Sequence, residues 1–231
     1  MKYYLKIQHN ELSYNLIRSD RKTISIYVEP DGKIVVRAPI KTEITKIRNI
    51  VETKKNWIYE SMSEFKILNK TKAQRIFVDG EGFLYLGKSY RLKIINESKK
   101  PLVFTGGYFI LNEKYTLQAR ELFVKFYKKN GKDFISDRVA YFSKKIGVVP
   151  ESINIRKLGN RWASRTKKGL NFHWKLLMAP ISIIDYIIVH ELAHFIIGNH
   201  SPEFWEIVES LIPDFVERKN WLRLNGASLD I

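Results

Sequence analysis

Residues 190–205 read HELAHFIIGNHSPEFW and hold three of the five histidines in the chain. His190 and His194 are four positions apart, a spacing that places both imidazoles on one face of a helix, where they can share a metal ion. A catalytic zinc usually has three protein ligands and one solvent position. The pattern therefore predicts that the helix ends soon after His194 and that the chain returns with a third ligand.

His200, six residues after His194, is the candidate for the third ligand. We expect Gly198 to stop the helix, because glycine accepts the left-handed conformation that ends helices. Ser201 and Pro202 then begin a new helix as its N-cap and first-turn residues. Three glutamates on that following helix are the alternative third ligands: Glu203, Glu206 and Glu209.

Glu191 follows the first ligand and lies at the edge of the same helix face, within reach of a water on the metal. A bound zinc lowers the pKa of that water from about 15.7 towards about 7. Glu191 can then accept the proton and pass it to a leaving group, as a general base and acid. Asp185, earlier on this helix, is either a helix-start charge, which we favour, or a hydrogen-bond acceptor for a ligand imidazole.

The composition restricts the possible metal ligands and indicates a cellular compartment. The 231-residue chain is 45% hydrophobic and contains no cysteine, which excludes disulfides and thiolate ligands. Its N-terminus lacks the apolar run of a signal peptide, and no stretch approaches the roughly 20 apolar residues of a membrane-spanning helix. We expect a cytoplasmic protein without membrane association, whereas the sequence predicts no oligomeric state.

Positive charge is concentrated in the N-terminal part. The net charge is +16, and residues 1–150 hold 30 Lys/Arg against 15 Asp/Glu, whereas residues 151–231 hold 10 against 9. The basic part is either a solvated surface or a nucleic-acid-binding surface. No helix-turn-helix, zinc-finger or RNA-binding motif is readable in it.

Hydrophobic periodicity and turn residues predict an α+β fold. Its first part, residues 1–112, is rich in β-hairpins and contains one helical stretch over residues 42–68. The second part, residues 113–231, begins with a long helix up to Ile146 that is interrupted near Gly131. A hairpin over residues 153–177, the helix of the metal motif and two short helices ending near Asn225 follow. We expect a zincin-like arrangement in this part, with the HExxH helix packed beside a small antiparallel sheet.

The hairpins predicted in the first part cover residues 23–39, 75–95 and 101–111. The first of them, TISIYVEPDGKIVVRAP, places a Pro-Asp-Gly turn between two β-branched runs.

The segments YIIVHELAHFIIGNHSPEFWEIVESLIPDF (residues 186–215) and WLRLNG (residues 221–226) resemble the YgjP-like metallopeptidase family, a relative of the SprT-like proteases. The N-terminal hairpin, the YLGKSYRLKI hairpin and residues 160–180 extend the resemblance over nearly the full length. It implies one zinc per chain, held by His190, His194 and His200, with Glu191 as the catalytic acid and base. The implied activity is hydrolysis of peptide or protein substrates. Some members carry a nucleotide-pyrophosphatase label, so a metal-dependent phosphoanhydride hydrolase is the alternative.

Residues 161–165, RWASR, depart from the Arg-Trp-Gly-Ser-Cys that family members usually carry, with Ala163 for the glycine and Arg165 for the cysteine. Strand alternation places Arg161 and Arg165 on one face. That face either looks into the cleft, where guanidinium groups bind carboxylate or phosphate, or is a solvated hairpin face. His173 is a further candidate for substrate binding or an ordinary strand histidine. It lies on a strand, near Asn171–Lys175, that we expect to align a peptide by strand pairing.

Overall fold

The computed structural model describes residues 3–9, 11–29, 32–70, 75–159 and 161–231. The chain forms two compact units, Met1–Lys72 and Ala73–Ile231. Within the described residues the fold is mixed α+β, with three small sheets and six α-helices. None of these helices is both long enough and apolar enough to cross a lipid bilayer.

The first unit contains a four-stranded sheet in the order β1-β2-β4-β3. Strands β1 and β2 are antiparallel, β2 and β4 are parallel, and β3 and β4 form the predicted hairpin, part of whose turn, residues 30–31, lies outside the described residues. The predicted helical stretch is divided at Lys54 into two helices, α1 and α2. The bounds are β1 Tyr3–His9, β2 Leu12–Ser19, β3 Ser25–Val28, β4 Ile34–Pro39, α1 Ile44–Thr53 and α2 Lys55–Lys70.

The second unit begins with another four-stranded sheet, in the order β5-β6-β8-β7. Its two antiparallel hairpins were both predicted, and the parallel pairing of β6 with β8 joins them. The bounds are β5 Gly82–Tyr85, β6 Lys88–Ile95, β7 Leu102–Thr105 and β8 Tyr108–Asn112. A 3₁₀ helix, Glu113–Gln118, then leads into α3, Ala119–Ile146.

Helix α3 is continuous over 28 residues, so the predicted interruption near Gly131 is wrong. Gly131 is buried, and a Cβ at this position would lie 2.7 Å from Leu177 Cδ2. The missing side chain therefore lets α3 pack closely against the 3₁₀ helix Trp174–Met178. This packing contact explains why a glycine is tolerated in the middle of a helix.

The third sheet has the order β10-β11-β9 and the bounds β9 Ser152–Arg156, β10 Ala163–Arg165 and β11 Gly169–His173. Strands β10 and β11 form the antiparallel hairpin, but β9 pairs with β11 in parallel. The sheet is therefore mixed, in contrast to the small antiparallel sheet that we expected. Strand β11 is buried along its whole length because it is the central strand.

Three helices complete the second unit: α4 Ile181–Ala193, α5 Pro202–Leu211 and α6 Phe215–Asn225. The two short helices after the metal motif were predicted. Helix α4 is a core helix, since every residue from Ile183 to Val189 is buried. Helix α4 contacts β10, and Glu191 in its last turn accepts a hydrogen bond from the Arg165 backbone N–H.

The boundary that we expected between residues 112 and 113 differs from the division of the structure, which falls between Lys72 and Ala73. The reason is an aromatic core shared by the sheet β5–β8 and α3. The ring of Phe123 on α3 lies 4.3 Å from that of Phe83 and 4.8 Å from that of Phe109, measured between centroids. Sheet and helix therefore cover each other's apolar faces and belong to one unit.

Candidate metal centre

The end of helix α4 carries the first two histidines. His190 lies in its last turn, and His194 is the C-cap residue. Their four-residue spacing brings the two imidazoles to the same side of the helix, with ring centroids 4.8 Å apart. Glu191, between them in sequence, is 8% exposed.

The chain leaves α4 through a tight turn rather than through Gly198. The Phe195 N–H donates to the Leu192 carbonyl, and the Ile196 N–H donates to the Ala193 carbonyl. His194 Nδ1 lies 3.1 Å from the Ile197 carbonyl oxygen, which fixes the orientation of this imidazole. Gly198 is not in the left-handed conformation that we expected, because the helix has already ended at Ala193, five residues earlier.

His200 returns to the first two histidines just before α5 begins. Its Nε2 lies 3.1 Å from the Nε2 of His190, and its ring centroid lies 4.7 Å from that of His194. One ring nitrogen from each of the three imidazoles lies within 4.8 Å of the others. The alternative third ligands are exposed glutamates outside this group: Glu203, Glu206 and Glu209.

Aromatic rings from α5 support the three imidazoles. The Phe204 ring is fully buried, and its centroid lies 4.5 Å from that of His194, 4.9 Å from that of His200 and 5.0 Å from that of His190. Trp205 stacks on His200, with centroids 5.6 Å apart and ring planes 26° apart. The start of α5 therefore holds His200 against the other two histidines.

The environment keeps the three imidazoles neutral at neutral pH. Burial, and then the neighbouring His194, His200 and Lys219, lower the pKa of His190 to about 3. Burial also lowers the pKa of His194 and of His200. A neutral imidazole presents a lone pair, which is the form that binds a metal ion.

Glu191 has the opposite shift. Burial raises the pKa of its carboxyl group to about 7, although a hydrogen bond from the Arg165 backbone N–H and the charges of Arg161 and Arg165 act to lower it. A carboxyl group with this pKa exchanges protons near neutral pH. The carboxylate is thus held by the edge of the neighbouring sheet as well as by α4.

Strand β10 borders this end of α4. His173 N–H donates to the Trp162 carbonyl and Thr166 N–H donates to the Gly169 carbonyl, so the intervening Ala163 and Arg165 direct their backbone groups away from β11. Among the described residues, no strand pairs with this outer edge of β10. The side chains of Arg161 and Arg165 are exposed, and the Arg165 guanidinium carbon lies 5.3 Å from the centroid of the Phe195 ring.

The sequence matches the model of a YgjP-like metallopeptidase domain over residues 22–225. The chain belongs to the YgjP-like metallopeptidase family. Among solved structures, it is similar to the crystal structure of the metallopeptidase zymogen of Pyrococcus abyssi abylysin, with 23% sequence identity and a TM-score of 0.36. That similarity covers 38% of this chain and 90% of the other. No curated protein matches the sequence significantly.

Membership of the YgjP-like family implies a metal ion and supports a hydrolase that acts on peptides or proteins. The three-histidine cluster fits a metal ion by its chemistry. The lone pairs of neutral imidazoles meet within 4.8 Å, and in the described part of the chain the buried Nδ1 of His190 has no hydrogen-bond partner. Two Nε2 atoms at 3.1 Å can share one cation between their lone pairs.

In this YgjP-like protein the structure places Arg161 and Arg165 close enough to Glu191 for their charges to lower its pKa, but it gives His173 a different position. His173 is buried, and its Nδ1 accepts a hydrogen bond from the Lys175 N–H at the start of a 3₁₀ helix. Its ring contacts Trp162 and Trp174. Strand β11 is paired on both edges, so it cannot align a peptide as we expected, whereas β10 has a free edge within the described residues.

Sequence reasoning missed two features of the centre. Asp185 lies beyond the first turn of α4, and among the described residues its carboxylate bonds to Arg138 of α3, 47 positions away, in a bidentate ion pair rather than to a histidine. Lys219 of α6 lowers the pKa of His190 and of His200. Both features join residues that are distant in the chain, so no local spacing in the sequence could have indicated the partner of Asp185 or the position of Lys219.

Proposed function

We propose that this chain is a zinc-dependent metallopeptidase in which His190, His194 and His200 hold one zinc ion. The observation that supports the proposal is the convergence of three neutral imidazoles beside a buried carboxyl group. Nitrogen ligands favour zinc, whereas magnesium and calcium prefer oxygen ligands. The arrangement that we propose is zincin-like, and the contact of the HExxH helix with the edge strand β10 supports it.

When bound, zinc would polarise the peptide carbonyl and lower the pKa of water at the site to about 7. Glu191 accepts a proton from the attacking water on a carboxylate oxygen. As the carbon–nitrogen bond breaks, Glu191 donates that proton to the leaving amide nitrogen and is ready for another cycle. The Arg165 N–H holds the carboxylate in position during these two transfers.

The free edge of β10 is the proposed binding surface for an extended peptide. Ala163 directs its backbone groups away from β11, so they can pair with a substrate strand. Arg161 and Arg165 lie on the same strand segment and are proposed to contact substrate side chains. Because the Arg165 N–H is bound to Glu191, a peptide paired with this edge passes next to the catalytic carboxyl group.

Elemental analysis of the purified full chain, combined with cleavage of a broad peptide library with and without a chelator, tests the proposal. We expect about one zinc per chain and cleavage that the chelator abolishes and added zinc restores. Zinc-loaded protein that cleaves no peptide would refute the peptidase activity, and cleavage that a chelator leaves unchanged would refute the role of the metal.

Hydrolysis of phosphoanhydrides and binding of nucleic acid stay predictions. The arginines beside Glu191 suit phosphate as well as carboxylate. The basic residues of the N-terminal part include exposed side chains on α1, such as Lys46 and Arg48. No feature of the described residues favours either alternative over peptide hydrolysis.

A further inference from the structure

Three exposed cations border the candidate metal centre: Arg161, Arg165 and Lys219. In the described part of the chain none of them forms an ion pair with a carboxylate. Several other basic residues of the second unit are paired with carboxylates, and Lys175 and Arg218 are two of them. Lys175 lies 2.7 Å from Asp230, and Arg218 lies 2.8 Å from Asp214, measured between nitrogen and oxygen. The cations at the metal centre are therefore available to an anionic ligand.

Lys219 approaches the cluster from α6 through Trp205. Its Nζ lies 5.0 Å from the centroid of the Trp205 ring, and Trp205 in turn stacks on His200. A cation over the face of a tryptophan is stabilised without a carboxylate, so it can remain close to the site while exposed to solvent. Its charge acts on His190 and His200.

Arg165 approaches different members of the cluster from β10. Its guanidinium group lies against Phe195, and its charge acts on Glu191 and His194. Among the described residues, every charged group outside the cluster that shifts the pKa of Glu191 or of one of the three histidines is basic. The exposed glutamates of α5 and α6 do not shift these pKa values. The surroundings of the centre are therefore positively charged on the sides of both β10 and α6.

We propose that Arg165 and Lys219 select peptides that carry a carboxylate side chain close to the cleaved bond. This inference rests on the proposed peptidase function and adds the substrate class. An extended peptide advances about 3.3 Å per residue, so cations that border different histidines contact side chains at different positions. Arg165 can bind a carboxylate bidentately, whereas Lys219 acts as a compact point charge.

Binding of three matched fluorescent peptides to the zinc-loaded Glu191→Gln full chain tests the selection independently of turnover. The peptides carry Asp and Glu, Asn and Gln, or Lys at the positions that flank the cleavage site found with the parent protein. If no cleavage occurs, the same residues are placed along the whole peptide. We expect the acidic peptide to bind about tenfold more tightly than the amide peptide at low salt. The difference should shrink as the Debye length falls from about 10 Å at 0.1 M salt to about 3 Å at 1 M.

Charge reversal assigns the preference to the two residues. Lys219→Glu and Arg165→Glu should each reduce the preference for the acidic peptide by about three- to tenfold. In a peptide library, the two variants should lose the preference at different positions of the substrate. Lys128→Glu is the matched control, because Lys128 is exposed on α3 and the variant carries the same change in charge. It should leave the preference unchanged.

The outcomes separate this inference from the proposed function. Cleavage of all three peptides without a preference overturns the selection and leaves the peptidase activity standing. Preferential binding of the acidic peptide that both reversals abolish supports the selection, even if no peptide is cleaved and the proposed function fails. A nucleoside triphosphate that binds and is hydrolysed, while the acidic peptide binds no better than the amide peptide, assigns the cations to phosphate and overturns the inference.

Discussion

Arg138 and Asp185 join helices α3 and α4 through a bidentate ion pair, with Nε 2.7 Å from Oδ1 and Nη2 2.6 Å from Oδ2. Asp185 is 8% exposed, and the hydrogen bond and charge of this carboxylate raise the pKa of the Arg138 guanidinium. Asp185 lies five residues before His190 on the same helix. The pair therefore holds the helix that carries His190 against the longest helix of the unit.

Replacing Arg138 alone should lower the free energy of unfolding more than replacing both Arg138 and Asp185. Arg138→Met leaves a buried carboxylate without its partner, and we expect the free energy of unfolding to fall by about 3 kcal/mol. The double variant Arg138→Met, Asp185→Leu should recover much of that loss. Urea unfolding followed by tryptophan fluorescence measures both, since four of the five tryptophans lie in the second unit. A double variant as unstable as the single one would mean that the pair itself contributes the stability.

Removal of any one histidine of the cluster should release the metal. His190→Ala, His194→Ala and His200→Ala each leave two ligands, and we expect zinc affinity to fall by at least about 100-fold. Zinc content after dialysis against a weak chelator measures the loss. Glu206→Ala is the control that should keep its zinc. If His200→Ala keeps zinc and Glu206→Ala loses it, the third ligand has been assigned wrongly.

Glu191→Gln should separate metal binding from proton transfer. The amide cannot accept a proton from water, so peptide hydrolysis should fall by about 100- to 10,000-fold while zinc content and thermal stability stay close to those of the parent. Glu203→Gln, an exposed residue on α5, should retain full activity. Loss of zinc from the Glu191 variant would instead make this carboxylate a ligand.

If the basic N-terminal part binds nucleic acid, phosphate contacts should dominate the affinity. We expect binding to single-stranded oligonucleotides to show little sequence preference and to weaken by at least about tenfold between 50 and 200 mM salt. The double variant Lys41→Glu, Lys46→Glu should bind more weakly, whereas Lys167→Glu, Lys168→Glu, outside this part, should not. Absence of binding in fluorescence anisotropy at the lowest salt concentration would leave the positive charge as a solvated surface.

Features that depend on neighbouring residues in sequence were predicted well. The four-residue spacing of His190 and His194 and the short return to His200 indicated that the imidazoles meet, because helix periodicity alone brings the first two together. Turn residues likewise indicated the hairpins β3–β4, β5–β6 and β7–β8. The role of the three histidines as zinc ligands stays a prediction that the variants above test.

Features that depend on distant contacts were not predictable. The parallel pairing of β9 with β11, the shared core of α3 and the sheet β5–β8, and the Arg138–Asp185 pair all join residues far apart in the chain. In the sequence, Gly131 indicates a helix interruption because glycine disfavours helices. The close contact that favours a glycine there involves Leu177, which lies 46 residues away in the chain. The directions of single side chains were not predictable either, since no pattern in the sequence indicates that Lys219 lies over the Trp205 ring.

The stability of the second unit should fall on mild acidification because of His173. Burial, and then the charge of Lys175, lower its pKa to about 4 from an ordinary value of 6.5, with smaller effects from Asp230, which raises it, and Lys157. Between these two values the unfolded chain binds the proton and the folded chain does not. The stabilisation that the folded state gains by keeping His173 neutral is therefore fully present above about pH 6.5. It declines as the pH falls and is lost below about pH 4.

His173→Asn isolates this effect, because the asparagine Oδ1 can replace Nδ1 as the acceptor for the Lys175 N–H but does not titrate in this range. The variant should be less stable than the parent at pH 7.5, since it loses the ring contacts with Trp162 and Trp174. That difference in the free energy of unfolding should shrink by about 2 kcal/mol at pH 5. At this pH, unfolding of the parent alone exposes the His173 imidazole and lets it take up a proton, which destabilises the folded parent. Urea unfolding of both metal-free proteins at the two pH values measures the change, and an equal difference at both values would contradict the role of His173.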